Sequence, residues 1–154
     1  MNVFLREYIM RIGLLGAGRI GQIHGRSAAE HKSATLAAVF DVDAKAAGAI
    51  AAATGATVAK GIPDIIGDKS IDAVLICTPT DTHADLIEQA AKAGKAIFCE
   101  KPVDLSAERV RACLKVVADT KAKLMIGFNR RFDPSFASLQ KRLAAGEVGK
   151  PEIV

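Results

Sequence analysis

The 154-residue sequence has no tryptophan and one tyrosine, and aromatic residues make up only 5% of it against a hydrophobic content of 50%. A core so poor in rings must be filled by Ala, Ile, Leu and Val, which suits closely packed helices on a β-branched sheet. Cysteine is scarce as well: Cys77, Cys99 and Cys113 are odd in number and form no C-x-x-C pair. That argues against a disulfide framework and a zinc site, so no bound metal is expected and a reducing, cytoplasmic setting is. No apolar run approaches the roughly 20 residues needed to cross a bilayer. The opening MNVFLREYI carries Arg6 and Glu7 and lacks a long apolar stretch with a cleavage site, so a secretion signal is not expected. Blocks of like charge are missing too. The 21 basic and 17 acidic residues are scattered, with a net charge of +4. This mild basicity suits an anionic ligand as well as an ordinary solvated surface, and no basic, aromatic-interleaved face points to nucleic acid.

What is present is alternation. Short β-like apolar runs at 11–15, 35–40, 57–59, 73–76, 96–99 and 123–127 are separated by helix-like stretches at 19–30, 44–54, 62–66, 82–93 and 106–120. This is the pattern of a parallel sheet covered on both faces, an α/β fold. Ser106 is a good N-cap and Gly55 and Gly94 are helix stops, while Pro134 opens a further helix to about residue 145, closed by the turn signal of Gly146 and Gly149. Met10 immediately precedes the first strand, so residues 1–9 read as an N-terminal extension. Residues 10–128 read as the main domain and 129–154 as a connecting helix. The closing KPEIV reads as a strand just beginning, from which a second, substrate-binding domain absent from this sequence is expected.

The strongest local signal is Gly16-Ala17-Gly18-Arg19-Ile20-Gly21, a G-x-G-x-x-G that follows an apolar strand and opens a helix. Gly16 permits the tight turn, Gly18 lets the backbone approach a diphosphate, and Gly21 permits close packing of helix on strand. The helix N-terminus then offers free N–H groups and partial positive charge, with Arg19 within reach of a phosphate or simply solvated. Asp41 ends the second strand 20 positions after Gly21, where a carboxylate can accept from an adenosine ribose. It would repel the 2′-phosphate of NADP, and Val42, Asp43 and Ala44 supply no arginine to hold one, so NAD is the expected cofactor. Asp43 is better placed than Asp41 to cap the second helix. His24 and His31 have no acidic or cysteine companions at ligand spacing and read as structural or surface groups. Thr78, Pro79, Thr80 and His83 follow the fourth strand and can border a nicotinamide ribose; Thr80 or Asp81 can equally cap the next helix.

GAGRIG, CTPTDTH, FCEKPVDLS and GFNRRFDP together resemble the glucose-fructose oxidoreductase and inositol dehydrogenase family, Gfo/Idh/MocA, over essentially the whole chain from Met10 onward. GFNRRFDP is most similar to the myo-inositol 2-dehydrogenase branch. The resemblance implies a Rossmann domain with strand order 3-2-1-4-5-6 and Lys101 as the catalytic lysine at the nicotinamide and the reacting hydroxyl. It implies that Glu100 contacts the nicotinamide ribose or pairs with Lys101 and that Arg131 rather than Arg130 reaches the substrate. Pro102 fixes the exit from the strand, and the bond before it can be cis, as about 5% of such bonds are. The substrate would be a polyol or sugar, oxidised at a secondary alcohol. The Asp and His that complete proton transfer would lie in the C-terminal domain, through which relatives form homo-oligomers. By that reading this chain alone holds cofactor but turns over little. A non-catalytic NAD-binding sensor or assembly module is the alternative; a methyltransferase loop would leave Glu-Lys-Pro unexplained.

Overall fold

Leu14 and Leu15 are both fully buried yet belong to different cores, because successive side chains of a strand point to opposite faces of a sheet. The strand that carries them, β1 (Met10–Leu15), lies inside a six-stranded parallel sheet. The computed structural model describes residues 8–150 and Glu152. Most of the extension expected over residues 1–9 falls outside that range, as does most of the expected strand at KPEIV.

Along the chain β1 is followed by α1 (Arg19–Glu30), β2 (Ala34–Phe40), α2 (Ala44–Thr54), β3 (Thr57–Val58), α3 (Ile62–Ile66) and β4 (Ala73–Ile76). A 3₁₀ turn (Thr80–Thr82) leads into α4 (His83–Lys92), then β5 (Ala96–Cys99), α5 (Ala107–Thr120) and β6 (Leu124–Ile126). A second 3₁₀ turn (Asn129–Phe132) precedes α6 (Pro134–Ala144). The sheet order is β3-β2-β1-β4-β5-β6, the doubly wound arrangement read from the alternation and the resemblance. On one face Leu14, Leu36, Val39, Ala47 and Ile50 pack beneath α1 and α2; on the other Leu15, Ile65, Val74, Ile87 and Cys113 pack beneath α3, α4 and α5.

Several helix ends follow from single side chains. Asp43 accepts from the Lys45 and Ala46 amides, Ser106 from the Arg109 amide, and Asp133 from the Ser135 and Phe136 amides. Gly55 closes α2 in the left-handed region. Helix α5 closes instead on Lys121 at φ 55°, a position with no glycine to announce it. The start of α4 also departs from expectation. Neither Thr80 nor Asp81 caps it; a 3₁₀ turn intervenes, and the Thr82 hydroxyl donates to the Pro79 carbonyl at 2.7 Å. No helix among the described residues is long and apolar enough to cross a membrane.

Candidate functional site

The order of the sheet reverses between β1 and β4, so the loops leaving these strands part company and open a crevice at their carboxyl ends. The β1 loop is drawn tight against the β4 loop. At φ +97° Gly16 adopts a conformation that L side chains rarely take, and a Cβ there would lie 2.5 Å from the Cys77 carbonyl group. Gly18 differs: nothing lies within 4 Å of its hypothetical Cβ, so the space above it is open. Gly18 is also the N-cap of α1, which has no side-chain cap and no acidic residue in its first turn. The helices α2, α5 and α6 are all capped by Asp or Ser. Helices α3 and α4 lack a side-chain cap as well, but each carries an aspartate in its first turn, Asp64 or Asp85; among the described helices α1 alone has neither cap nor acid to meet its free N–H groups and positive dipole end. On its first turn Arg19 is exposed and Ile20 half-buried.

Asp41 stands beside this opening. One carboxylate oxygen accepts from the Ala17 amide at 2.5 Å and the other from the Asp43 amide at 2.8 Å. The carboxylate is thus oriented by the glycine loop itself, while Asp43 takes the capping of α2.

Beyond β4, the Thr78 and Thr82 hydroxyls lie 2.7 Å apart; since Thr82 already donates to Pro79, Thr78 is the donor between them. Pro79 is exposed and Thr80 half-buried. His83, also expected to border the nicotinamide ribose, has a buried side chain. It is only 2% exposed, with Nε2 2.7 Å from the Thr78 carbonyl oxygen and Nδ1 2.7 Å from that of Pro102. Both ring nitrogens face carbonyl oxygens, of which a neutral imidazole donates to one, so the ring spans the β4 and β5 loops and presents neither nitrogen to the crevice.

At the end of β5, Lys101 is exposed and precedes a cis peptide bond to Pro102. The expected pairing of Glu100 with the Lys101 ammonium is not formed. One Glu100 oxygen instead meets His24 Nε2 of α1 at 2.7 Å, and the other accepts from the Lys101 backbone amide at 3.2 Å. His24 had no visible partner in the sequence because Glu100 lies 76 residues away. Gly127, after β6, is part of the same construction: a Cβ there would lie 3.0 Å from Phe98 and 3.1 Å from Glu100.

Arg130 lies over the Phe136 ring at 4.8 Å and 3.9 Å from Asp133. Arg131 is exposed and enters no ion pair among the described residues. Both line a hollow of about 620 Å³ with Phe128 and Phe136. Behind the crevice, burial pushes the Cys77 and Cys99 thiols up to about 12, with the Glu100 charge adding to both.

A family model described as "Oxidoreductase family, NAD-binding Rossmann fold" (GFO_IDH_MocA) matches residues 10–128. The chain is 61% identical over 145 residues to the inositol 2-dehydrogenase of Rhizobium meliloti strain 1021, a match covering 94% of this chain and 44% of that enzyme. It is 40% identical over 147 residues to the scyllo-inositol 2-dehydrogenase (NAD(+)) of Bacillus subtilis strain 168, covering 94% and 43%. A crystal structure of scyllo-inositol dehydrogenase from Lactobacillus casei with bound cofactor NAD(H) and scyllo-inositol superposes with a TM-score of 0.87 at 32% identity, over 92% of this chain and 43% of that one. The chain therefore spans less than half the length of the curated relatives it matches.

Proposed function

The chain belongs to the Gfo/Idh/MocA oxidoreductase family with its NAD-binding Rossmann fold, and from that premise we propose that it is the cofactor-holding half of an NAD-dependent inositol-type dehydrogenase. The observation that carries this reading is the uncapped N-terminus of α1, facing open space over Gly18 at the point where the sheet order reverses. Residues 10–128 form the nucleotide-binding unit, and 129–154 lead toward the substrate-binding part. The α1 amides and Arg19 hold the diphosphate, with Ile20 and Gly21 completing the first turn. Asp41 accepts from the adenosine ribose and disfavours a 2′-phosphate, so NAD is preferred over NADP. Thr78, Pro79 and Thr80 border the nicotinamide ribose together with Glu100.

NAD, when bound, supplies the hydride acceptor. The work of the chain is to orient the alcohol. Lys101, exposed at the end of β5, sits where an ammonium can hold and relay the hydroxyl proton of a secondary alcohol, and Arg131 offers a planar pair of donors to adjacent hydroxyls. The substrate class, an inositol-like polyol, is supported by the activities of the relatives named above.

The reading is tested in two stages. Calorimetry on this chain should find NAD binding with NADP at least about tenfold weaker. This chain should then replace the matching 145 residues of the Rhizobium meliloti enzyme. The graft should reduce NAD with an inositol, and Lys101→Ala should abolish turnover while leaving NAD binding intact. A graft that binds NAD but reduces none of it with an inositol would favour a sensor or assembly module, and one that turns over normally without Lys101 would remove Lys101 as the catalytic group.

A further inference from the structure

His24 leans from α1 onto the carboxyl end of β5, its ring edge-on to Phe98 with centroids 4.8 Å apart and planes at 62°. Its Nε2 meets Glu100 at 2.7 Å, with side-chain exposures of 24% for His24 and 15% for Glu100. The second Glu100 oxygen takes the backbone amide of Lys101 at 3.2 Å. Room for the carboxylate exists because Gly127 lacks a side chain: a Cβ would stand 3.1 Å from one Glu100 oxygen and 3.3 Å from its carboxyl carbon. Both oxygens are therefore directed, one by the helix whose N-terminus is open and one by the turn that carries Lys101.

We propose that His24 is a positioning residue: by holding Glu100 it fixes the Glu100–Lys101 turn against α1 and so couples the diphosphate end of the site to the nicotinamide end. The proposal rests on the reading of this crevice as an NAD site. The coupling is geometric. A helix that seats the diphosphate also sets, through one charge-assisted hydrogen bond, the position of the backbone at Lys101. Without His24 the carboxylate is free to turn into solvent, and the amide of Lys101 loses a directed acceptor.

The test compares two ligands on this chain, NAD and ADP-ribose, which share the diphosphate and adenosine and differ in the nicotinamide. The unaltered chain should bind NAD more tightly than ADP-ribose. His24→Leu should narrow that gap by about fivefold or more, with ADP-ribose affinity unchanged to within about twofold. His24→Gln, whose amide can donate to Glu100, should recover most of the gap. Gly127→Ala, which crowds the carboxylate without touching His24, should narrow it too, so the idea stays testable if His24→Leu folds poorly. Equal weakening of both ligands would mark His24 as packing for α1 and overturn the proposal. An unchanged ratio, or an unaltered chain that binds the two ligands equally, would overturn it as well. Should the unaltered chain bind neither ligand, the NAD reading fails first, before any variant is made.

Discussion

The Cβ that Gly21 lacks would fall 2.0 Å from the carbonyl oxygen of Gly16, so the first turn of α1 rests directly on the backbone of the loop before it. The obstruction is backbone, which cannot swing aside like a side chain. Gly21→Ala should therefore cost about 1–3 kcal/mol of stability, read as a lower urea midpoint, and weaken NAD binding with it. Gly18→Ala should behave oppositely. The Gly18 backbone is extended at φ −65° and ψ −171° with open space beyond it, so stability should change by less than about 0.5 kcal/mol. NAD affinity should still fall by about tenfold or more, because the methyl group occupies the space assigned to the diphosphate. A Gly18→Ala chain that binds NAD normally would place the diphosphate elsewhere.

The proposed site assigns the choice between NAD and NADP to Asp41. Asp41→Ser removes the charge while leaving an oxygen acceptor near the Ala17 amide. The ratio of NAD to NADP affinity should fall by about tenfold or more, or ~1.4 kcal/mol, measured by calorimetry at fixed salt. No gain in relative NADP binding would remove Asp41 as the determinant.

The His83 ring stands between two loops, with one nitrogen facing a carbonyl oxygen of each. His83→Phe keeps an aromatic ring but strips both nitrogens, leaving the Thr78 and Pro102 carbonyls without the ring that now faces them. The expected loss is roughly 1–3 kcal/mol, for the one carbonyl that accepts the ring N–H. Chemical denaturation should show it, and an unshifted midpoint would refute that contribution.

The thiols predict an alkaline limit. Cys77 and Cys99 ionise near 9.0 when unperturbed but are pushed up to about 12 by burial. Because the folded state resists ionisation, their contribution to stability is complete below pH 9.0 and is lost as the pH rises toward about 12. The urea midpoint should drop over that window, and replacing both residues with alanine should flatten the drop. At neutral pH all three buried cysteines should resist a thiol reagent until the chain unfolds.

Much of this was legible from local chemistry. Strands β4 and β5 and helices α1, α2 and α3 carry their own punctuation, in apolar runs of strand length bounded by Gly, Asp or Pro, and they lie where the sequence put them. The glycine loop was readable because each glycine answers a backbone demand within a few residues. The left-handed Lys121 was not, since no turn residue marks it, and neither was the 3₁₀ entry to α4, because Pro79 and Asp81 announce a turn without choosing its type.

The sequence by itself determined the alternation, the parallel sheet and the glycine turn at the head of α1, because these depend on periodicity, caps and backbone freedom acting over short distances. Only the tertiary structure decided the company each polar side chain keeps. His24 found Glu100, and the His83 ring came to face the carbonyls of Thr78 and Pro102. The reason is physical: a hydrogen bond across the sheet is set by which strand ends the crossovers bring together, and no residue type or spacing along the chain encodes that distance.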